Sequence, residues 1–142
     1  MPGEQTPTEY LPKVPLFGSL SRGDLQQVAQ AGDEIDAEAG RELVTEGRVG
    51  REFFLIVEGE ATVRRGDQEV ATLGPGDYFG ELSLLHRGPR SATVTAKTDM
   101  HLFVLGQREF AGLVDSVPGL SAKLLVGLAQ RLREADARSF EY

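Results

Sequence analysis

Residues 79–94 read FGELSLLHRGPRSATV, and this run interrupts a stretch, from about residue 33 to 105, of short apolar segments separated by turns that contain glycine. Within it, Gly80 precedes the carboxylate Glu81, then apolar residues that suit the start of a short helix, and finally Pro89 and Arg90. Glycine permits backbone angles that other residues avoid, and a helix start leaves several N–H groups without intrahelical partners. The run therefore predicts a short helical insertion able to bind an anion.

Short strands are predicted on both sides of this run. Alternating or apolar segments occur at 42–45, 52–57, 61–64, 69–73, 92–98 and 101–105, and such segments bounded by turn residues are typical of strands. Gly59 and Gly66 fall between consecutive segments and predict hairpin turns. This spacing favours a mainly β fold with flanking helices, in which about residues 33–105 form a double-stranded β-helix, a jelly-roll-like β-roll.

Helical patterns flank the predicted roll. Ser21 and Asp24 have the spacing of a capping box, and Gly32 suits the end of a short N-terminal helix. The helical period returns over about 107–138, with Pro118 at the start of the longer C-terminal helix and a leucine stripe along it. That stripe either packs on the roll or forms a dimer contact. The polar residues 1–10 predict a flexible N-terminal tail, which leaves 11–142 as a single domain.

The 142 residues, the formal net charge of −7 and the lack of cysteine narrow the possible functions. Without cysteine the chain has no disulfides, Cys-ligated zinc sites or iron–sulfur clusters. The negative charge disfavours direct binding to nucleic acid, because its phosphates would be repelled. No signal-peptide pattern begins the chain and no apolar run is long enough to cross a membrane, so we expect a cytoplasmic protein without membrane contact of its own.

The phosphate and the ribose 2′-hydroxyl of a cyclic nucleotide each have a suitable binding partner among the residues of this run. Arg90 supplies a planar, permanently charged fork that suits two phosphate oxygens, and N–H groups around Leu82 and Ser83 can point at the same phosphate. An ionised Glu81 can accept a hydrogen bond from a ribose 2′-hydroxyl and so select ribose over deoxyribose. Each residue also has an ordinary explanation, since Glu81 suits a first helical turn and Arg90 suits a solvated surface.

Gly80-Glu81-Leu82-Ser83 followed by Pro89-Arg90-Ser91-Ala92 resembles the phosphate-binding cassette of the cyclic nucleotide-binding domain family, a regulatory module of kinases, channels and bacterial transcription activators. The resemblance implies a β-roll flanked by helices and a regulatory sensor for a 3′,5′-cyclic purine nucleotide. The ligand-binding residues that it implies are Gly80, Glu81, Leu82, Ser83, Arg90, Ser91 and Ala92. Val63, Leu73 and Val94 are candidates to line the base and sugar, and each also suits the core.

The resemblance favours cAMP over cGMP, although Ser91 leaves the base open because its hydroxyl could reach a guanine amino group, a phosphate oxygen or neither. Occupancy would be relayed by movement of the helices, to a second copy in a homodimer or to a larger effector protein. The alternative is a degenerate domain that serves protein interaction or dimerisation without a ligand. A metal enzyme would need converging ligands, and the only histidines are His86 and His101, so we expect neither a metal nor catalytic residues.

Overall fold

The computed structural model describes residues 6–80 and 89–140, and beyond Gly127 it describes the side chains of 129, 130 and 133. The helices are α1 (Pro7–Tyr10), α2 (Arg22–Ala31), α3 (Gln107–Ser116) and α4 (Leu120–Phe140), with a 3₁₀ turn over Leu11–Lys13 after α1. The strands are β1 (Asp33–Ala37), β2 (Glu42–Val44), β3 (Glu52–Glu58), β4 (Ala61–Arg65), β5 (Gln68–Leu73), β6 (Tyr78–Phe79), β7 (Thr93–Ala96) and β8 (Met100–Gly106).

The strands form two antiparallel sheets. In the described part of the chain their orders are β1-β8-β3-β6 and β2-β7-β4-β5. Between the sheets lies a buried apolar cluster that includes Phe54, Ile56 and Leu102 from the first sheet and Val94 and Ala96 from the second. Two sheets that bury their inner faces against each other share one core. This arrangement confirms the predicted β-roll.

The outer face of the first sheet packs against the helices. Alternation along β3 and β8 sends Phe53, Leu55, Phe103 and Leu105 to this face, whereas their neighbours enter the roll. Phe53 stacks on Phe110 of α3 with ring centroids 5.0 Å apart. Burial of each such side chain contributes roughly 1.5–3 kcal/mol. This second cluster therefore holds the N-terminal and C-terminal helical regions on the roll.

The expectation of a flexible tail over 1–10 is wrong for its last residues. Pro7–Tyr10 forms α1, and Tyr10 is only 5% exposed. Its ring meets Phe103 edge-on with centroids 6.2 Å apart, and its hydroxyl donates to Glu34 Oε1 at 3.0 Å. These contacts join residues far apart in sequence, so the polar residues around Tyr10 mislead a prediction based on composition.

Local signals predict α2 and the hairpins correctly. The Ser21 hydroxyl accepts a hydrogen bond from the Asp24 N–H at 3.1 Å, and α2 ends at Ala31, one residue before the glycine that was expected to stop it. Gly59 and Gly66 lie at the turns after β3 and β4 with φ of 92° and 57°. These positive angles explain why glycine occupies the turns.

The C-terminal helix α4 begins at Leu120, two residues after Pro118. Leu120 and Leu124 are buried in the cluster beneath the helices, so the first part of the leucine stripe packs on the roll. No single helix in the described part of the chain is long and apolar enough to span a membrane. Helix α3 and residues Leu120–Gly127 are long and apolar enough only when they are taken as one segment, and the chain bends by 113° between them.

Candidate functional site

The backbone of Arg90 pairs with the loop that precedes β3. Its N–H donates to the Arg48 carbonyl at 2.8 Å, and its carbonyl accepts from the Gly47 N–H at 2.9 Å. Val49 and Pro89 form an antiparallel bridge beside these bonds. This loop therefore fixes where the Arg90 side chain leaves the backbone.

The Arg90 side chain turns inward, and the residue is only 6% exposed. Its Nη1 donates to the Gly80 carbonyl at 3.0 Å, and its Nη2 donates to the Glu52 carbonyl at 2.8 Å. A guanidinium stays charged in proteins, and burying it is costly unless its N–H groups are hydrogen bonded. The two carbonyls meet part of this requirement and fix the plane of the guanidinium.

Two glycines leave the space that this guanidinium occupies. A Cβ at Gly50 would lie 1.6 Å from Arg90 Nε and 2.0 Å from Arg90 Cζ. A Cβ at Gly80 would lie 2.7 Å from Arg90 Nη1 and 2.6 Å from the Glu52 carbonyl oxygen. Gly80 also has φ of 95°, an angle that residues with side chains avoid. We call the space between Gly50 and Gly80 the glycine slot.

The sequence predicts Gly80 and Arg90 as site residues, and the structure brings them into contact. It does not single out Gly50 or Glu52. Gly50 lies in no predicted turn, and its contact with the guanidinium depends on the tertiary fold. Glu52 takes part through its carbonyl, which any residue would supply. Neither residue therefore carries a local signal that could reveal its place in the site.

The remaining candidates fall into two groups. Glu81, Leu82 and Ser83 lie outside the described residues, whereas Ser91 is exposed and Ala92 is half-buried. The lining candidates Val63, Leu73 and Val94 all contact the cluster between the sheets, and Val63 pairs directly with Val94 across β4 and β7. The structure thus brings the three apolar candidates to the inner face of the second sheet. Their contact with a base stays a prediction.

A comparison with known protein families decides the classification. Residues 34–117, more than half of the chain, match the model described as the cyclic nucleotide-binding domain. The chain belongs to this family. The matched region of the cyclic nucleotide-binding domain contains both glycines of the slot and Arg90, and the resemblance seen in the sequence is confirmed.

Relatives of this cyclic nucleotide-binding domain include proteins named cAMP-dependent protein kinase regulatory subunit. The one from Eremothecium gossypii is 44% identical over 110 residues, which make up 77% of this chain and 24% of the relative. The one from Yarrowia lipolytica is 40% identical over 110 residues, or 76% of this chain and 29% of the relative. The chain therefore spans about a quarter of the length of these curated relatives.

Solved structures show the same fold. The catabolite activator protein of Thermus thermophilus superposes with a TM-score of 0.79 at 32% identity, over 87% of this chain and 61% of that one. The regulatory domain of Toxoplasma gondii PKA, solved with cAMP, superposes with a TM-score of 0.68 at 36% identity, over 75% of this chain and 42% of that one. Both likenesses confirm the β-roll with flanking helices.

This cyclic nucleotide-binding domain also holds a cluster of ionisable groups between α1 and the first sheet. His101 on β8 is 4% exposed, with Nδ1 2.7 Å from Asp36 Oδ1 and Nε2 2.9 Å from Glu34 Oε1. Burial alone would lower the pKa of His101, but hydrogen bonds and charges from Glu34 and Asp36 outweigh burial and raise that pKa. Burial and the bond to Glu34 raise the pKa of Tyr10, so its hydroxyl remains a donor.

A protonated His101 donates from both ring nitrogens, which matches two carboxylate oxygens at hydrogen-bond distance. Across the described residues, no group of three or more His, Cys, Asp or Glu side chains is arranged to hold a metal ion. The cluster therefore joins β1, β8 and α1 through hydrogen bonds and charge. The sequence gives no local sign of it, because β1 and β8 are far apart along the chain.

Proposed function

We propose that this chain is a cytoplasmic, non-catalytic sensor that binds a 3′,5′-cyclic purine nucleotide, with cAMP preferred over cGMP. The observation that carries the proposal is the buried Arg90 guanidinium held in the glycine slot of a chain from the cyclic nucleotide-binding domain family. The relatives named as cAMP-dependent regulatory subunits support cAMP as the ligand. The Toxoplasma gondii domain solved with cAMP supports it as well.

In this proposal Arg90 binds the cyclic phosphate. Its guanidinium plane is already fixed by the carbonyls of Gly80 and Glu52, so little side-chain freedom is lost when an anion arrives. Charge-assisted hydrogen bonds from a planar fork to phosphate oxygens are stronger than neutral ones. Partial exclusion of water strengthens them further. Arg90 thus supplies the largest single contribution to phosphate binding.

We assign the contacts to the rest of the ligand to the residues that the sequence analysis predicts as binding residues. Glu81 accepts a hydrogen bond from the ribose 2′-hydroxyl, and the N–H groups of Leu82 and Ser83 point at the phosphate. Ser91 and Ala92 border the phosphate beside Arg90, while Val63, Leu73 and Val94 face the base and sugar. The position of the three apolar residues on the inner face of the roll supports this assignment.

Occupancy is relayed through the C-terminal helices, over about 107–138, of the single domain 11–142, whose roll spans about 33–105. Strand β6 touches both cores just before Gly80. Phe79 stacks on Phe54 inside the roll with centroids 4.8 Å apart, and Tyr78 lies against Phe53 on the helix side with centroids 5.4 Å apart. A ligand that binds one arrangement of β6 more tightly therefore shifts the helix population toward the matching placement.

Isothermal titration calorimetry with cAMP, cGMP and 5′-AMP tests the sensor function. We expect saturable binding of cAMP, weaker binding of cGMP and no binding of 5′-AMP, whose phosphate is not cyclic. Absence of heat and of any thermal shift with all three nucleotides at millimolar concentration would contradict the proposal.

Protein interaction without a ligand is the second candidate, and exposed apolar side chains on α4 favour it. Leu125 is 67% exposed and Val126 is 58% exposed, and contact with a second copy or a larger effector protein would remove this apolar surface from water. Light scattering tests this function. A dimer mass that Leu125→Ser reduces to a monomer mass, in a chain that binds no nucleotide, would favour it over the sensor.

A further inference from the structure

Tyr78 of β6 and Gly127 of α4 lie close to each other. A Cβ at Gly127 would lie 2.2 Å from the Tyr78 hydroxyl oxygen and 3.5 Å from Tyr78 Cζ. The first distance is far below van der Waals contact, whereas the second is an ordinary one. The hydroxyl therefore occupies the space that a side chain at position 127 would fill, and glycine allows α4 to lie this close.

The Tyr78 ring has little room to avoid a larger residue. It is partly buried against the apolar cluster under the helices, and its ring centroid lies 5.4 Å from that of Phe53. Its backbone pairs with Leu55 in β3, and the neighbouring Phe79 is buried on the opposite face of the sheet. A change at position 127 therefore displaces the helix more readily than the ring.

Glycine inside a helix is less favourable than alanine. Its presence there therefore suggests a close contact that leaves no room for a side chain. Gly112 in α3 has nothing within 4 Å of the place where its Cβ would be, so packing does not require glycine there. Gly127 differs because a packed tyrosine hydroxyl fills that place. Of these two helix glycines, only Gly127 is needed for its helix to lie close to a neighbouring side chain.

We propose that the fit of the Tyr78 hydroxyl against Gly127 sets the docked position of α4 and thereby tunes the affinity of the Arg90 site. Tyr78 lies two residues before Gly80, whose carbonyl accepts from Arg90 Nη1. When α4 is docked, β6 is packed on its helix side as well as inside the roll, which holds that carbonyl in place. Tyr78 and Gly127 are thus positioning residues, and this role rests on the proposed function.

A double-mutant cycle tests the proposal, with two readouts. The first is the Kd for cAMP from calorimetry, for Gly127→Ala, Tyr78→Phe, both together, and Gly112→Ala as the matched control. The second is the distance between spin labels at Thr72→Cys on β5 and Gln130→Cys on α4. Both labelled positions are exposed, and the chain has no cysteine of its own, so labelling is specific.

We expect Gly127→Ala to change the spin-label distance and to raise the Kd for cAMP about five- to tenfold, which lies within the usual range of energetic coupling between two sites. Gly112→Ala should leave both unchanged. Adding Tyr78→Phe removes the overlapping oxygen and should return the Kd of the double variant to within about twofold of Tyr78→Phe alone.

An unchanged Kd and distance in Gly127→Ala would overturn the proposal, and so would a loss that Tyr78→Phe does not rescue. If the wild type binds no cyclic nucleotide, the proposed function fails, whereas the spin-label distance still reports whether this contact positions α4. The two failures are therefore distinguishable.

Discussion

Gly50→Ala tests whether the glycine slot positions the phosphate-binding arginine. The new Cβ would overlap Arg90 Nε at 1.6 Å and Arg90 Nη2 at 2.3 Å. Because the overlap falls on the end of a long side chain, we expect the guanidinium to leave the slot rather than the backbone to move. Its hydrogen bonds to the Gly80 and Glu52 carbonyls would then be lost.

The magnitude follows from the bonds that are broken. A hydrogen bond from a charged group contributes about 1.5–3 kcal/mol, so loss of two such bonds lowers the free energy of unfolding by about 3 kcal/mol once the released guanidinium is hydrated. Misplacing the fork also removes at least one charge-assisted contact to the phosphate. Since about 1.4 kcal/mol corresponds to a factor of ten, the Kd for cAMP should rise about ten- to a hundredfold.

Urea unfolding and calorimetry measure the two effects separately. Gly74→Ala is the matched control, because Gly74 is also a loop glycine without a positive φ and has nothing within 4 Å of its Cβ position. It should change neither the unfolding midpoint nor the Kd. If Gly50→Ala lowers the unfolding midpoint but the folded protein binds cAMP as the wild type does, the slot has no role in positioning Arg90 for the ligand, and the reasoning is refuted.

Three further substitutions have defined outcomes. Arg90→Lys keeps the charge but loses the planar fork, so calorimetry should show a Kd for cAMP about tenfold or more above that of the wild type; equal affinity would exclude a bidentate contact. The contribution of His101 to stability is fully present below its usual pKa of 6.5 and is lost as pH rises through the raised folded-state pKa. The urea midpoint should therefore fall as pH rises above 6.5 in the wild type and much less in His101→Gln, and parallel curves would contradict this. Tyr10→Phe removes the bond to Glu34 and should lower the free energy of unfolding by about 1 kcal/mol, whereas an unchanged midpoint would mean that the bond adds no stability.

The parts of the fold that depend on local patterns are predictable from the sequence. Alternating or apolar runs identify β3, β4, β5 and β8, and the turn glycines Gly59 and Gly66 correctly separate β3 from β4 and β4 from β5. Strand β1 is not predicted because Asp33, Glu34 and Asp36 are residues that strands usually disfavour. It pairs with β8 because Ile35 and Ala37 still face the core between the sheets. Strand β6 has only two residues, too few for any periodicity.

The residues of the candidate site also include some that the sequence predicts and some that it does not. Gly80 and Arg90 stand out because a glycine and an arginine flank an unusual segment within a β-rich chain. Gly50 and the Glu34–His101 contact do not, because each depends on segments that are far apart in sequence and meet only after folding. A pattern within one segment can suggest which side chain meets a ligand. Of the two glycines that make room for that side chain, Gly50 comes from elsewhere in the chain.

The hydrogen bond from Arg90 to the Gly80 carbonyl has a consequence for genetics. It joins two residues, Gly80 and Arg90, that lie ten positions apart in sequence on either side of Glu81. An Arg90→Ala allele would therefore lose the proposed phosphate partner and the bond to Gly80 at the same time. Comparing this allele with Glu81→Ala, which leaves both partners of the bond intact, separates the phenotype of lost ligand binding from that of a lost Gly80–Arg90 bond.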